Sequence, residues 1–344
     1  MGTSALSPLP GGPGVRRRPA GLAAGAPLTR VTGPAQALDL VAADLVVAER
    51  ELHGLLQSDV RAVPSVSGYL AAAGGKRLRP ALTGLGALAI GAAPQPRLMC
   101  VGELIHLGSL LHDDVVDDAD TRRGKVATHR VFGNAVTVLT GDFCLARAVL
   151  LAAEEGGHAA VSSLAEAVTR MAEGEVLQLQ RAGDLGCTRS DYFDVIERKS
   201  AALIAWCASA AAHGSGRTGA AEALALFGRR VGVAFQITDD VLDYRAGTGK
   251  APGADLRQRK VTLPLLLAMD RIPSLRDELE QGEPSPADIT RWIQAITATG
   301  ALEAALDEAR CLVDEGLGVL DELPAGPGRD ALRVLGRYLV ERAE

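Results

Sequence analysis

Residues 103–124 read ELIHLGSLLHDDVVDDADTRRG, and this stretch decides the fold. Leu104, Leu107, Leu111 and Val115 recur at spacings of three and four residues, which is one apolar stripe of an α-helix. The same period extends the helix over about 97–117. It then recurs near 36–57, 78–92, 133–156, 159–182, 190–212 and 219–244, and again near 261–270, 287–299, 301–322 and 328–343. Gly and Pro punctuate the joins at Gly74-Gly75, Pro94, Gly156-Gly157, Gly214, Gly249 to Gly253 and Pro324 to Pro327. No alternating strand pattern of useful length and no internal repeat is present. The expectation is an all-α chain: one large helical bundle over 36–344, preceded by a disordered tail over 1–35 that is rich in Gly, Pro, Ala and Arg. Arg16, Arg17 and Arg18 in that tail have no suitable apolar segment after them and read as solvated.

Composition supports this. Of 344 residues, 47% are hydrophobic but only 3% aromatic, so the core must be built from Ala, Leu and Val, and Ala and Leu favour helix. A net charge of -6 argues against a general nucleic-acid binder, which needs a basic face. Cys100, Cys144, Cys187, Cys207 and Cys311 are scattered with no CxxC pair, which reads as free thiols in a reducing, cytoplasmic setting. No apolar run reaches the roughly 18 residues of a membrane span, and no secretory signal pattern opens the chain.

Asp113 and Asp117 are four apart and share a helix face. Residues 235–244, FQITDDVLDY, repeat the arrangement with Asp239 and Asp243. Like charges at this spacing destabilise a helix by a few tenths of a kcal/mol. A carboxylate in an apolar setting must be paired or bind metal. Mg²⁺ suits such a place, because it takes oxygen ligands and is held by one or two carboxylates plus substrate phosphates. Two facing carboxylate pairs therefore suit a diphosphate clamped through Mg²⁺. A single DDxxD reads as well as a solvated acidic helix end; two copies on apolar helices do not. The inner Asp114 and Asp240 read as supporting groups. Asp118 and Asp120 read as solvent-facing or paired with arginines.

Local basic residues supply the counter-charge. GGKRLRP at 74–80 is a glycine turn followed by cations, with Lys76 and Arg79 three apart at a helix start. Arg122, Arg123 and Lys125 follow the first acidic motif. Lys199 precedes Ser200 on a helix, and Lys250 and Lys260 flank the loop after the second motif. Each group alone reads as an ordinary basic loop or a solvated lysine. His106 sits two turns before Asp113 on the same side, where a lone His is more often a satisfied core residue than a ligand. His112 reads as a hydrogen-bonding group within the bundle.

Together these pieces resemble the trans-isoprenyl diphosphate synthase (polyprenyl synthetase) family, from about Gly74 to Leu267. The segments that carry the likeness are GGKRLRP, ELIHLGSLLHDDVVDDADTRRG, GDFCLARA, ERKSA, FQITDDVLDY and GKAPGADLRQRKVTLPLL. The resemblance implies the isoprenoid synthase type of bundle with a central active-site cavity. It also implies a homodimer, and three Mg²⁺ ions that bridge a diphosphate. It assigns Lys76, Arg79, His106 and Arg123 to isopentenyl diphosphate. Asp113, Asp117, Asp239 and Asp243 become metal ligands. Arg122, Lys199, Ser200, Gln236, Lys250 and, with them, Lys260 become groups at the allylic diphosphate. The implied reaction ionises the allylic C–O bond in a dry pocket, and the isopentenyl double bond attacks the cation. Two departures stand out. The stretch from Asp243 to Lys250 is short, and Arg259 stands where many relatives carry glycine.

Gly108 and Ser109 lie about one helical turn, roughly 6–8 Å, before Asp113. Bulky aromatics there look like a floor in the family, so this small pair implies an open tunnel and a product beyond fifteen carbons. Gly108 reads equally as a contact glycine between helices. The alternatives are a fifteen- or twenty-carbon synthase, a terpene cyclase of similar architecture, and a non-catalytic partner subunit. GGKRLRP and a second motif of DDxxD type disfavour the cyclase, and two complete acidic motifs disfavour the silent subunit.

Overall fold

A computed structural model describes residues 31–71, 77–118, 120–122, 125–245, 252–281 and 284–341, except the side chain of Arg122. Residues 1–30 of the expected tail lie outside the described residues, as do Lys76, Arg123, Gly124 and Lys250.

The first long predicted helix is two: α1 (Pro34–Asp39) and α2 (Ala42–Leu55). Helix therefore starts at Pro34, inside the stretch expected to be tail; Pro34 presets the helical φ at the first turn, and Ala37 is fully buried. α3 (Ala62–Ala71) was not expected. Pro64, Gly68 and two serines weaken its helical pattern, and burial of Val66 and Leu70 holds it in place. α4 (Leu78–Ala89) and α5 (Pro96–Val116) match their predicted spans closely. β1 (Thr121–Arg122) and β2 (Lys125–Val126) then form a small antiparallel hairpin ahead of the short α6 (Thr128–Phe132).

α7 (Asn134–Gln180) covers both segments predicted on either side of Gly156-Gly157. The break is real in the backbone: Gly157 has φ 67 and ψ −165, which glycine adopts without a Cβ clash. By length and composition α7 is apolar enough to cross a membrane, contrary to the expectation that no segment reaches that threshold. The helix packs along α5 and α9 within the bundle. α8 (Arg189–Ile196) opens on a reciprocal cap between Thr188 and Asp191, then passes through a π-turn, Glu197–Ala201, into α9 (Ala202–Gly214). α10 (Thr218–Leu242) carries the second acidic motif at its end.

α11 (Ala254–Arg257), α12 (Leu263–Arg271), α13 (Ser274–Glu280), α14 (Pro286–Ala298), α15 (Ala301–Val319) and α16 (Pro327–Glu341) complete the chain. Like α3, the short α6, α11 and α13 lie outside the predicted spans. The centre is made by α5 against α7, α9 against α4, α7 and α10, and α10 against α15; α16 lies on α4. As the composition requires, the buried side chains are mainly Ala, Leu and Val, with Phe227 among the largest fully buried. The cysteines are unpaired. Cys100, Cys144, Cys187 and Cys207 are buried and Cys311 is exposed. Burial pushes the thiols of Cys100, Cys144 and Cys207 up to about 12.

Candidate active site

A cavity of about 840 Å³ runs between α4, α5, α9 and α10, with Leu335, Tyr338 and Leu339 of α16 on its wall. The structure brings Arg79, His106, Ser109, Asp113, Lys199, Ser200, Gln236 and Asp239 to this one space. They come from four separate stretches of chain. A smaller cleft of about 260 Å³ beside Gly183 and Arg259 holds none of them. Most of the rest of the wall is apolar, including Leu107, Leu110, Leu203, Ile204 and Phe235.

The two acidic motifs end their helices. Asp113 and Asp239 face the cavity from α5 and α10. Asp117 is exposed at the C-cap of α5, where its amide bonds the Asp113 carbonyl at 2.9 Å. Asp243 does something else: its two oxygens accept the Ala254 and Asp255 amides at 3.1 and 2.9 Å, fastening the start of α11. Among the described residues no group of three or more His, Cys, Asp or Glu is assembled for a metal. The donor set is nonetheless all carboxylate oxygen, spread over two helices across a cavity. That arrangement fits an ion whose shell is completed by phosphate oxygens.

The inner aspartates are structural. Asp114 is fully buried and accepts the Thr128 amide at 2.9 Å, seating α6. Asp240, 2% exposed, is the hub of a polar network: it accepts from the Tyr192 hydroxyl at 2.7 Å, the Gln236 amide nitrogen at 2.8 Å and the Lys260 ammonium at 3.3 Å. Ser200 donates to the Gln236 carbonyl oxygen at 2.7 Å, so both ends of that amide are fixed. Burial and the neighbouring Asp240 carboxylate hold the Tyr192 hydroxyl well above its ordinary range. Lys260 lies between Asp240 at 3.3 Å and Asp255 at 3.5 Å, and does not line the cavity. Burial works against its charge, yet the two carboxylates outweigh it and raise the ammonium. Burial also lifts Asp255 to about 7, with Lys260 opposing.

Arg122 is described only through its backbone on β1. Asp118 and Asp120 are paired as expected, both with Arg130, at 2.9 and 3.2 Å. His112 behaves as a bundle residue, with its ring nitrogen 3.2 Å from both the Val138 carbonyl and Asp142.

Of the two residues expected to set product length, only Ser109 reaches the cavity. Gly108 faces α7, where an added Cβ would lie 3.0 Å from the Gly141 carbonyl. It is a contact glycine, the competing reading of its small size. Sequence reading passed over Arg77 and Glu103, which also line the cavity. Arg77 bridges Glu49 and Glu103 at 2.7 Å each, tying α4 to α2 and α5. A lone buried acid ten residues before Asp113 in an apolar helix was the available signal. The α16 residues gave none, because only packing brings the end of the chain to this cavity.

Comparison with known proteins agrees with the geometry. The Polyprenyl synthetase family profile matches residues 60–296. An octaprenyl diphosphate synthase of Escherichia coli (strain K12) is 37% identical over 315 residues, covering 88% of this chain and 97% of that protein. The crystal structure of a polyprenyl synthase from Caulobacter crescentus CB15, described as complexed with calcium and isoprenyl diphosphate, superposes with a TM-score of 0.85 at 40% identity over 91% of this chain and 98% of that one. A decaprenyl diphosphate synthase from Rhodobacter capsulatus gives 0.84 at 34% identity over 90% and 99% of the two chains.

Proposed function

As a member of the polyprenyl synthetase family, to which the chain belongs, it is a prenyltransferase, and we propose that it condenses isopentenyl diphosphate with an allylic prenyl diphosphate, releasing diphosphate and an all-trans polyprenyl diphosphate longer than fifteen carbons. The observation that carries this reading is one largely apolar cavity with Asp113 and Asp239 facing it from two helices and basic side chains beside them. Apolar walls suit a hydrocarbon chain and exclude the water that would quench an allylic cation.

Asp113, Asp117 and Asp239 would hold Mg²⁺, three ions in the proposed reading, beside the bound diphosphate. Asp243 would have to release the Ala254 and Asp255 amides to join them. Held there, Mg²⁺ would supply positive charge against the departing diphosphate, which would ease C–O cleavage. The protein's own groups do the rest. Lys199, Ser200 and Gln236 face the allylic diphosphate, the last two pre-set by their mutual hydrogen bond. Arg79 and His106 face isopentenyl diphosphate, with Lys76 and Arg123 as further groups there and Arg122 and Lys250 at the allylic site. Lys260 contributes its charge from behind Asp240.

Length is the finer part of the proposal. Ser109 leaves the wall open one turn from Asp113, and relatives that match nearly the whole chain are named for octaprenyl and decaprenyl products. A homodimer fits the surface of α7, where Leu139 (66% exposed), Leu150 (50%), Val176 (53%) and Leu179 (51%) leave an apolar face uncovered. The four buried, unpaired cysteines fit a cytoplasmic setting. Incubation with Mg²⁺, isopentenyl diphosphate and primers of several lengths, followed by chromatographic sizing, tests the reading. Products beyond fifteen carbons are expected. A product that stops at fifteen carbons overturns the length assignment, and a cyclic hydrocarbon from the allylic substrate alone overturns the reaction.

A further inference from the structure

Lys199 sits in the π-turn between α8 and α9, and every polar side chain of that turn is tied to something. Glu197 accepts from Arg229 of α10 at 3.2 Å, and Arg198 reaches Glu173 of α7 at 2.5 Å and Asp194 at 2.7 Å. Ser200 is bonded to Gln236. Lys199 itself is paired with Glu175 of α7, Nζ to Oε2 at 2.6 Å, with the two side chains 28% and 20% exposed. One residue earlier, Gly174 makes room for this. A Cβ there would lie 2.5 Å from the Lys199 amide nitrogen and 2.9 Å from its Cα, so the two backbones meet with no side chain between them.

A π-turn is a rare, wide turn inside an α-helix, frequent at functional sites. Here it presents the consecutive residues Lys199 and Ser200 to the same cavity. A lysine on a flexible four-carbon stem would otherwise sample many directions. Glu175 removes that freedom. An ammonium has three N–H donors, so one can be held by Glu175 while others remain for a phosphate.

We propose that Glu175 is a positioning residue for the allylic diphosphate: it pins the Lys199 ammonium against the cavity wall, and Gly174 is the gap that allows it. This rests on the reading that Lys199 meets the allylic diphosphate. The pairing also predicts a division of labour along α7. Glu173, bonded to Arg198 on the outer side of the turn, steadies the surface, whereas Glu175 acts through the cavity.

Steady-state kinetics of the full chain test this, with farnesyl diphosphate varied at saturating isopentenyl diphosphate and Mg²⁺, and then the reverse. Lys199→Met should raise KM for farnesyl diphosphate about tenfold or more, and Glu175→Gln about fivefold, while KM for isopentenyl diphosphate moves less than about twofold. Glu175→Asp, which keeps the charge on a shorter stem, should fall between Glu175→Gln and the unaltered protein. In the Lys199→Met background, Glu175→Gln should add nothing, because the residue it positions is gone. Glu173→Gln should leave both KM values unchanged. A Glu175→Gln effect that persists undiminished without Lys199, or that raises both KM values alike, would make Glu175 a purely structural residue and overturn the proposal. So would a raised KM in Lys199→Met beside an unchanged Glu175→Gln. An unchanged KM in Lys199→Met would instead sink the assignment of Lys199 itself, and this inference with it.

Discussion

The two acidic motifs are written almost alike, HDDVVDD and TDDVLDY, but they are built differently. The first closes α5 beside the β1–β2 pair, with Asp117 exposed and the buried Asp114 carboxylate accepting an amide of α6. The second closes α10 inside a polar network, where Asp240 takes three donors and Asp243 takes two amides of the α11 start. Equal spacing therefore does not mean equal work. The leading aspartate of each motif faces the cavity, the next one anchors structure, and the last faces water in one motif and holds a loop in the other.

Substitution separates these roles. The largest effect is expected where the motifs agree. Asp113→Ala and Asp239→Ala should each lower turnover by about a thousandfold, since each removes a proposed ligand of Mg²⁺. Circular dichroism should show both variants folded. A variant of either that keeps full activity would break the assignment for that motif.

Next comes the contrast between the inner positions. Asp240→Ala leaves Lys260 with one partner lost and should cost about 3 kcal/mol or more in denaturant unfolding, the scale for breaking a buried ion pair. Asp114→Ala removes the buried acceptor of the Thr128 amide and should cost about 1–3 kcal/mol. Equal losses would mean that the two motifs are supported alike. The outer positions should divide the other way: Asp117→Asn should reduce activity with little change in stability, and Asp243→Ala should destabilise by about 1 kcal/mol through the α11 amides. Both are read from paired activity and melting data.

The smallest effects lie in the loop beside the second motif. Arg259 has φ 52, a left-handed conformation that explains why glycine suits this place. Arg259→Gly should raise stability by up to about 1 kcal/mol. Asp255 gives that region its own pH dependence. Burial lifts its carboxyl from 3.8 to about 7, so the folded state holds the proton more tightly than the unfolded chain. Its contribution to stability is complete below about pH 4 and is lost as pH rises toward 7. Melting temperatures of Asp255→Asn should consequently decline less between pH 5 and 8 than those of the unaltered protein.

Much of this was legible in the residues. The 3.6-residue period located the long helices, because burying one stripe requires it, and the glycine pair at Gly156-Gly157 marked the break in α7. Lys199, Ser200, Gln236, Asp113 and Asp239 were identifiable from their motifs, and they do meet. What misled was local: α3 and α13 are held by packing against weak patterns, and Gly108 was small because α7 passes beside it.

By itself the chain order determined the class of fold, the helices that end in carboxylates, and the kind of ligand such carboxylates need. Those follow from periodicity and from the cost of burying charge, which act within one segment. The tertiary structure alone decided which aspartate does which task, that Lys260 serves Asp240 and Asp255, and that Glu175 meets Lys199. Pairings between residues far apart in sequence carry no local signature. They exist only once helix packing brings the partners within a hydrogen bond of each other.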